Sequence, residues 1–144
     1  MKILSIEVMS NCLGMLIVED NNIPYSVTNI GKLFSTPKEA TIQDLIDFQK
    51  VFSEFLSSQD VDKVVVCEGG KDSKKMRVRM EYIVLAECNK QNIEAITYPT
   101  GSCTRLINTT YKKETERDFL DDLKLFKLPK YMGKVLVAAW KFLK

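Results

Sequence analysis

Alternation of apolar and polar positions predicts strands in the first part of the chain. Residues 2–8 (KILSIEV) are apolar at Ile3, Ile6 and Val8 and indicate a strand, and residues 11–20 and 25–33 indicate two more. The short link between the first two favours an antiparallel hairpin. Residues 21–24 predict a turn and residues 34–41 a polar connector.

The spacing of apolar residues changes to a helical period in residues 41–58. The apolar stripe of this segment consists of Leu45, Phe48, Phe52, Phe55 and Leu56. Thr41 is suited to be the N-cap, with Asp44 three residues later, as in a capping box. We expect the aromatic residues of the stripe to fill the core.

The remaining elements complete an α/β order. A short valine-rich run at 63–67 predicts a buried strand, and residues 93–99 predict a fifth strand. Helices are predicted at 73–91, 102–111, 113–126 and 128–144, with Pro129 near the first turn of the last. The order predicts one mixed five-stranded sheet, a three-strand antiparallel meander plus two parallel strands, with helices on both faces. Its length favours a single domain, 1–144.

The composition excludes several classes of chemistry. The chain has no histidine, so a Ser-His-Asp triad, a Cys-His pair and a histidine base are all excluded. Four cysteines form no CxxC pair, which argues against zinc and favours a reduced, cytoplasmic protein. No phosphate-binding glycine motif and no membrane-length apolar run occurs. Catalysis would need carboxylates with a metal, or Lys, Cys or Tyr.

The order of elements resembles that of the RNase H-like superfamily, and the details resemble its RuvC-like branch, the Holliday-junction resolvases. Glu7 in ILSIEVMSNCLGMLIVE stands at the family's first acid, and Glu68 in VVVCEGG ends the fourth strand as the family's glutamate does. The segments TYPTGSCTRLI and KKETERDFLDDL follow in the matching order. A group of bacterial and phage proteins of this fold, with a similar Ile-Glu start and Val-Asp-Lys-Val-Val strand, resembles the chain more closely still but implies no function.

The resemblance implies a two-metal site, which this chain matches only in part. The resolvases carry further acids on the last helix, whereas its first turns here hold Lys130, Gly133 and Lys134. The family usually has Asp where Glu7 stands. Glu7 and Glu68 would therefore hold Mg²⁺ weakly if at all, and Lys134 would replace an expected acid and pair with them. This favours a degenerate site over a catalytic one.

Two further acids are alternative ligands. Asp72 and Glu81 follow Glu68 in the loop and the next helix, but Glu81 lies one turn after Arg77, where an ion pair would explain it. We expect the carboxylates of Glu7 and Glu68 to share one cleft, faced by the start of the last helix. Glutamates on opposite faces of the sheet would remove both nuclease hypotheses, because each depends on this pair.

Positive charge is concentrated in the second half of the chain. Residues 1–70 hold five lysines against ten acids, whereas residues 99–144 hold ten basic residues against five acids. This asymmetry indicates either an anionic partner or halves that attract each other. The candidate nucleic-acid-binding residues are Lys71, Lys74, Lys75, Arg77, Arg79, Arg105, Lys112 and Lys113. A solubilising surface is the alternative. Tyr82, Tyr98 and Tyr111 are candidates for stacking on bases or for the core.

Three functional hypotheses follow. The first is an RNase H-like domain that binds nucleic acid with a degenerate carboxylate site. The second is an active Mg²⁺-dependent, structure-specific endonuclease with a rearranged site. The third is a protein-interaction or self-assembly module without nucleic-acid chemistry. A homodimer could form through the apolar last helix, whose residues Leu136, Val137, Trp140 and Phe142 exceed what one buried face needs. Mg²⁺ is the only cofactor implied, and no membrane contact is expected.

Overall fold

A computed structural model describes residues 1–9, 12–20, 26–31 and 41–143. The described strands form one mixed sheet in the order β3-β2-β1-β4-β5. Their bounds are Lys2–Val8 (β1), Leu13–Glu19 (β2), Ser26–Gly31 (β3), Lys63–Glu68 (β4) and Glu94–Pro99 (β5). β1, β2 and β3 are antiparallel neighbours, while β4 runs parallel to β1 and β5 parallel to β4. This confirms the predicted fold class; the predicted turn at 21–24 and most of the connector at 34–41 lie outside the described residues.

Helices cover both faces of the sheet. Their bounds are Ile42–Ser58 (α1), Lys75–Lys90 (α2), Thr100–Arg105 (α3), Tyr111–Thr115 (α4), Phe119–Leu125 (α5) and Gly133–Lys141 (α6). The predicted cap of α1 is present, because the Asp44 N–H donates to Thr41 Oγ1 at 3.1 Å. The parallel strands β4 and β5 are joined through α2, the kind of crossover connection that a parallel pair requires.

Two hydrophobic cores lie on opposite sides of the sheet. The α6 core contains Ile3, Val65 and Cys67 from the sheet, and the inner sides of α3, α4, α5 and α6 pack against them. The α1–α2 core contains Leu4, Ile6, Val8, Val64 and Val66 with the inner faces of α1 and α2. In both β1 and β4 the odd-numbered residues face the α6 core and the even-numbered residues face the α1–α2 core, because side chains alternate along a strand. This parity decides which candidate site residues can meet.

The structure corrects the predicted helices in the second half. A helix begins at Thr100, contains a π-helical turn at Leu106–Thr110 and ends at Thr115. The next residue, Glu116, has a left-handed φ of 60°. The predicted helix at 113–126 is therefore wrong as one element, and α5 begins separately after its N-cap Asp118. The last helix is also shorter than predicted, since a 3₁₀ turn at Lys130–Met132 follows Pro129 before α6 begins.

Candidate functional site at the ends of strands 1 and 4

Glu7 lies near the carboxyl end of β1, on the face that packs against α6. Its side chain is buried, with 7% of the residue exposed. Two residues earlier, Ser5 Oγ donates to the Val135 carbonyl oxygen at 2.7 Å and fixes the start of α6 against β1. The parallel strand β4 ends beside it, and strand ends of α/β sheets are where binding sites gather.

Arg77 of α2 reaches into this strand end and contacts three oxygen atoms. Its Nη2 lies 3.5 Å from Glu7 Oε2 and donates to the Cys67 carbonyl at 3.0 Å, while its Nε donates to Glu81 Oε2 at 3.1 Å. Only 23% of the Arg77 side chain is exposed. The guanidinium therefore joins β1, β4 and α2, and its charge faces two carboxylates.

Glu81 completes this arrangement from the next turn of α2. Its Oε2 also accepts the Gly69 N–H at 3.1 Å, so the carboxylate holds the loop after β4 as well as the arginine. A Cβ at Gly69 would clash with Ser73 Oγ and would also lie 2.6 Å from Arg77 Nε, which is too close for a side chain. The expected ion pair of Arg77 and Glu81 is present, but it is buried rather than a surface pair.

Burial and charge act in opposite directions on Glu7. Desolvation raises the pKa of the Glu7 carboxyl above its usual value, while the charges of Arg77 and Lys134 and the hydrogen bond from Arg77 lower it. Lys134 acts through space, since none of the ion pairs among the described residues joins it to Glu7. Two cations and two carboxylates thus balance locally without an added ion.

Glu68 lies on the other face of the sheet from Glu7. It is an even-numbered residue of β4, and it lines a groove beside α2 on the face of the α1–α2 core. The parallel register aligns Ile6 with Val66, and its continuation by one residue sets Cys67 beside Glu7. The expected shared cleft of the two glutamates is therefore wrong. A site that pairs Glu7 with Glu68 is not supported by the strand register, so either nuclease hypothesis would need a different set of residues.

The residue that shares the face of Glu7 on β4 is a neutral thiol. A hydrogen bond with Cys103 and burial both raise the pKa of Cys67 well above its usual value. The Cys67 thiol also lies 3.7 Å from the Lys134 carbonyl oxygen. A protonated, buried thiol is a poor ligand for a hard cation such as Mg²⁺.

The residues at this strand end do not fit a magnesium site. Within the described residues, no group of three or more Cys, Asp or Glu side chains could hold a metal ion. The two carboxylates that do converge, Glu7 and Glu81, already bind the guanidinium of Arg77. Mg²⁺ prefers near-octahedral oxygen ligands and usually keeps several waters, which a guanidinium in this position excludes.

The candidate nucleic-acid-binding residues divide into three groups. Lys71, Lys74, Lys75 and Arg79 are exposed around the start of α2. Arg105, Lys112 and Lys113 are also exposed, but they belong to the helix that packs in the α6 core, so the two sets lie on helices of opposite layers. Arg77 is turned inward and does not offer its guanidinium to solvent in the way its neighbours do.

The tyrosines and the last helix are also placed by the structure. Tyr111 is buried, whereas Tyr82 is 72% exposed on α2. Tyr98 is partly buried and lies beneath the Lys141 ammonium, 5.5 Å from its ring centroid. The apolar residues of the last helix proposed as a dimer surface belong to the α6 core: Leu136, Val137 and Trp140 are buried, and Phe142 packs against them. The premise of that dimer is therefore wrong.

Comparison with solved structures identifies the fold of this chain, whereas comparison of its sequence with known families and proteins does not. No protein-family model and no curated protein matches the sequence. Among solved structures, Thermus thermophilus RuvC matches with a TM-score of 0.68 at 14% identity, covering 96% of this chain and 91% of that one. The chain has the RuvC-like variant of the RNase H-like fold. The RuvC of T. thermophilus in complex with a Holliday junction substrate matches with a TM-score of 0.63, at 14% identity and 96% and 90% coverage. The fowlpox virus Holliday junction resolvase matches at 0.55, with 10% identity and 99% and 98% coverage. No helix in the described part of this RuvC-like chain is long and apolar enough to cross a membrane.

Sequence reasoning missed the part that Cys67 and Arg77 play at this strand end. The spacing of Arg77 and Glu81 was visible as a helical pair, but nothing in the sequence shows that the pair turns towards β1. The alternation of side chains along β1 and β4 assigns Glu7 and Glu68 to opposite faces of the sheet only when the register between the two strands is known. That register depends on packing between distant segments.

Proposed function

We propose that this chain is a single RNase H-like domain that binds nucleic acid and does not cleave it by a metal-dependent route. The observation that carries the proposal is Arg77, which lies between Glu7 and Glu81 where a nuclease of this fold would need a cation. A guanidinium neutralises two carboxylates but cannot activate water or clamp a phosphodiester as paired metal ions do. The site is thus degenerate, with Arg77 rather than Lys134 as the main partner of Glu7.

Nucleic-acid binding is supported by two independent features. Lys71, Lys74, Lys75 and Arg79 leave several exposed positive charges around one helix start. The fold is also that of a T. thermophilus RuvC and a fowlpox virus resolvase whose structures contain Holliday junction DNA.

Four buried, free cysteines fit the reducing cytoplasm expected from the sequence.

Binding is tested with labelled four-way junction DNA, duplex DNA and RNA across a salt series. The logarithm of the binding constant should fall linearly with the logarithm of salt concentration, with a slope near −0.9 for each duplex phosphate contacted. Lys74→Gln with Lys75→Gln should reduce that slope by roughly 2. Lys50→Gln with Lys90→Gln removes the same charge from exposed positions elsewhere and should leave the slope unchanged. Absence of binding to all three at low salt removes the proposal.

Cleavage of the same junction is the second measurement. The wild type should not cut it with Mg²⁺ or Mn²⁺. Cleavage that depends on metal and is abolished by Glu7→Gln would instead support an active nuclease with a rearranged site, since the amide keeps the shape and removes the charge.

Light scattering on the same samples tests self-association, which would have to use a surface other than the buried side of α6.

A further inference from the structure

A groove beside α2 is lined by apolar, aromatic and acidic side chains that phosphate binding alone would not need. It lies between α2 and the edge strand β5, at the carboxyl ends of β4 and β5, and has a volume of about 560 Å³. Val66 forms part of its floor, and Val78, Tyr82 and Leu85 form a stripe along its α2 side. Residues four and three positions apart share one helix face, so the stripe is continuous.

The α2 side of this groove carries apolar and aromatic side chains that are open to solvent. Tyr82 is 72% exposed and Val78 53% exposed. Val78 and Tyr82 are one helical turn apart, so together they give the groove an apolar wall that a ligand can reach. A tyrosine ring offers a flat face on which a nucleobase can stack, and such stacking accepts every base.

Polar groups on the rim fit the remaining parts of a nucleotide. Lys71 lines the groove, and Lys74, Lys75 and Arg79 are exposed on the same loop and helix, where they suit phosphates. Glu68 also lines the groove and is exposed. None of the hydrogen bonds and ion pairs among the described residues uses its carboxylate. A carboxylate at this place can accept a hydrogen bond from the exocyclic amino group of a base such as cytosine.

We propose that this groove is a subsite for one unpaired nucleobase that carries an exocyclic amino group, with Tyr82 as the stacking partner and Glu68 as the acceptor. This rests on the proposed nucleic-acid-binding function and specifies which part of the ligand is read. The charge pattern favours this occupant, because Lys71 lines the groove and Glu68 and Glu81 are its two carboxylates. Glu81 already accepts hydrogen bonds from Arg77 and the Gly69 N–H, which leaves the carboxylate of Glu68 for a ligand. A base still paired in a duplex exposes no ring face to Tyr82, so the subsite selects single-stranded or branched nucleic acid.

The experiment compares three labelled chains of equal length, about eight residues each, by fluorescence anisotropy at low salt. One chain is oligo-dC, one is oligo-dT, and one carries abasic residues on the same phosphodiester backbone. Wild-type protein should bind oligo-dC at least about fivefold more tightly than the abasic chain, the lower bound for one stacked base. It should also prefer oligo-dC to oligo-dT, which lacks the amino group.

Variants assign the effect to named side chains. Tyr82→Ala should abolish the preference for oligo-dC over the abasic chain, and Tyr82→Phe should keep it, because the ring face remains. Tyr131→Ala removes another exposed tyrosine and should keep it too. Glu68→Gln should reduce the difference between oligo-dC and oligo-dT, since the amide can donate to the thymine carbonyl as well as accept.

Two outcomes overturn the subsite. Equal binding of oligo-dC and the abasic chain by the wild type would mean that only phosphates are contacted, which leaves the proposed function standing and removes the base subsite. A dimer in light scattering that Tyr82→Ala dissociates would mean that a second copy of the chain fills the groove. Failure of every chain and of junction DNA to bind would remove the proposed function itself.

Discussion

Replacement of Arg77 by methionine tests the charge arrangement at the strand end. The change keeps most of the side-chain length and removes the guanidinium from three oxygen partners, on Glu7, Cys67 and Glu81. Both carboxylates lose a partner while they stay buried, with 9% and 10% of their side chains exposed. Arg79→Met, two residues along the same helix and exposed, is the matched control.

The expected loss follows from the contacts. Breaking a buried ion pair by removing one partner costs about 3–5 kcal/mol in the free energy of unfolding. The Glu7 contact is long, at 3.5 Å, and Arg77 is 23% exposed, so solvent screens part of the interaction. We therefore expect about 2–4 kcal/mol, which lowers the melting temperature by roughly 5–15 °C for a domain of this size. The control should change stability by less than about 0.5 kcal/mol.

The dependence on pH gives the sharper result. The charge and hydrogen bond of Arg77 both lower the pKa of Glu7, so their removal raises that pKa further. The folded variant then binds a proton that the unfolded chain has already released, and its stability is lost as pH rises through the raised pKa. Urea unfolding near pH 5 and near pH 8 should show a larger deficit at the higher pH. An equal deficit at both, or a variant as stable as Arg79→Met, would refute the proposed charge arrangement.

Three further changes probe the same strand end. Burial raises the pKa of Glu7 in the folded protein above 4.5, so the stability that protonated Glu7 contributes is full below pH 4.5 and is lost as pH rises through the raised pKa. Glu7→Gln removes the titrating group and should make the free energy of unfolding depend less on pH in this range, as measured by urea unfolding at several pH values. Gly69→Ala forces a methyl group against Ser73 Oγ and to within 2.6 Å of Arg77 Nε, and it should cost about 1–3 kcal/mol in thermal unfolding. Gly70→Ala, with no atom within 4 Å, should cost little. Ser5→Ala removes a buried hydrogen bond to a carbonyl of α6 and should cost about 0.5–1.5 kcal/mol, and the exposed Ser57→Ala should cost less by the same assay.

The strands were predictable because their signal is local. β1, β4 and β5 agree with the predicted bounds to within a residue, since runs of β-branched, aromatic and other apolar residues bounded by turn-forming residues favour strands. The second half was less predictable. The break at Glu116 requires a left-handed backbone at a glutamate, and no glycine or asparagine marks the position.

The candidate site was predictable in its location but not in its pairing. Glu7 and the start of α6 could be assigned to one strand end from the order of elements alone. Glu68 could not be assigned to a face, because a shift of one residue in register exchanges the two sides of a strand. Arg77 was one of several basic residues in a run, and only the packing of α2 over the sheet decides which of them turns inward.

The π-helical turn at Leu106–Thr110 has a consequence for how this chain is aligned with others. Cys103 and Tyr111 are both buried in the α6 core, yet they are 111 − 103 = 8 residues apart, which in a straight α-helix would set them about 80° from a common face. The wider turn absorbs one residue and brings them into line. A gap-free alignment with a chain that has a straight helix here would therefore shift every position from Tyr111 onward by one.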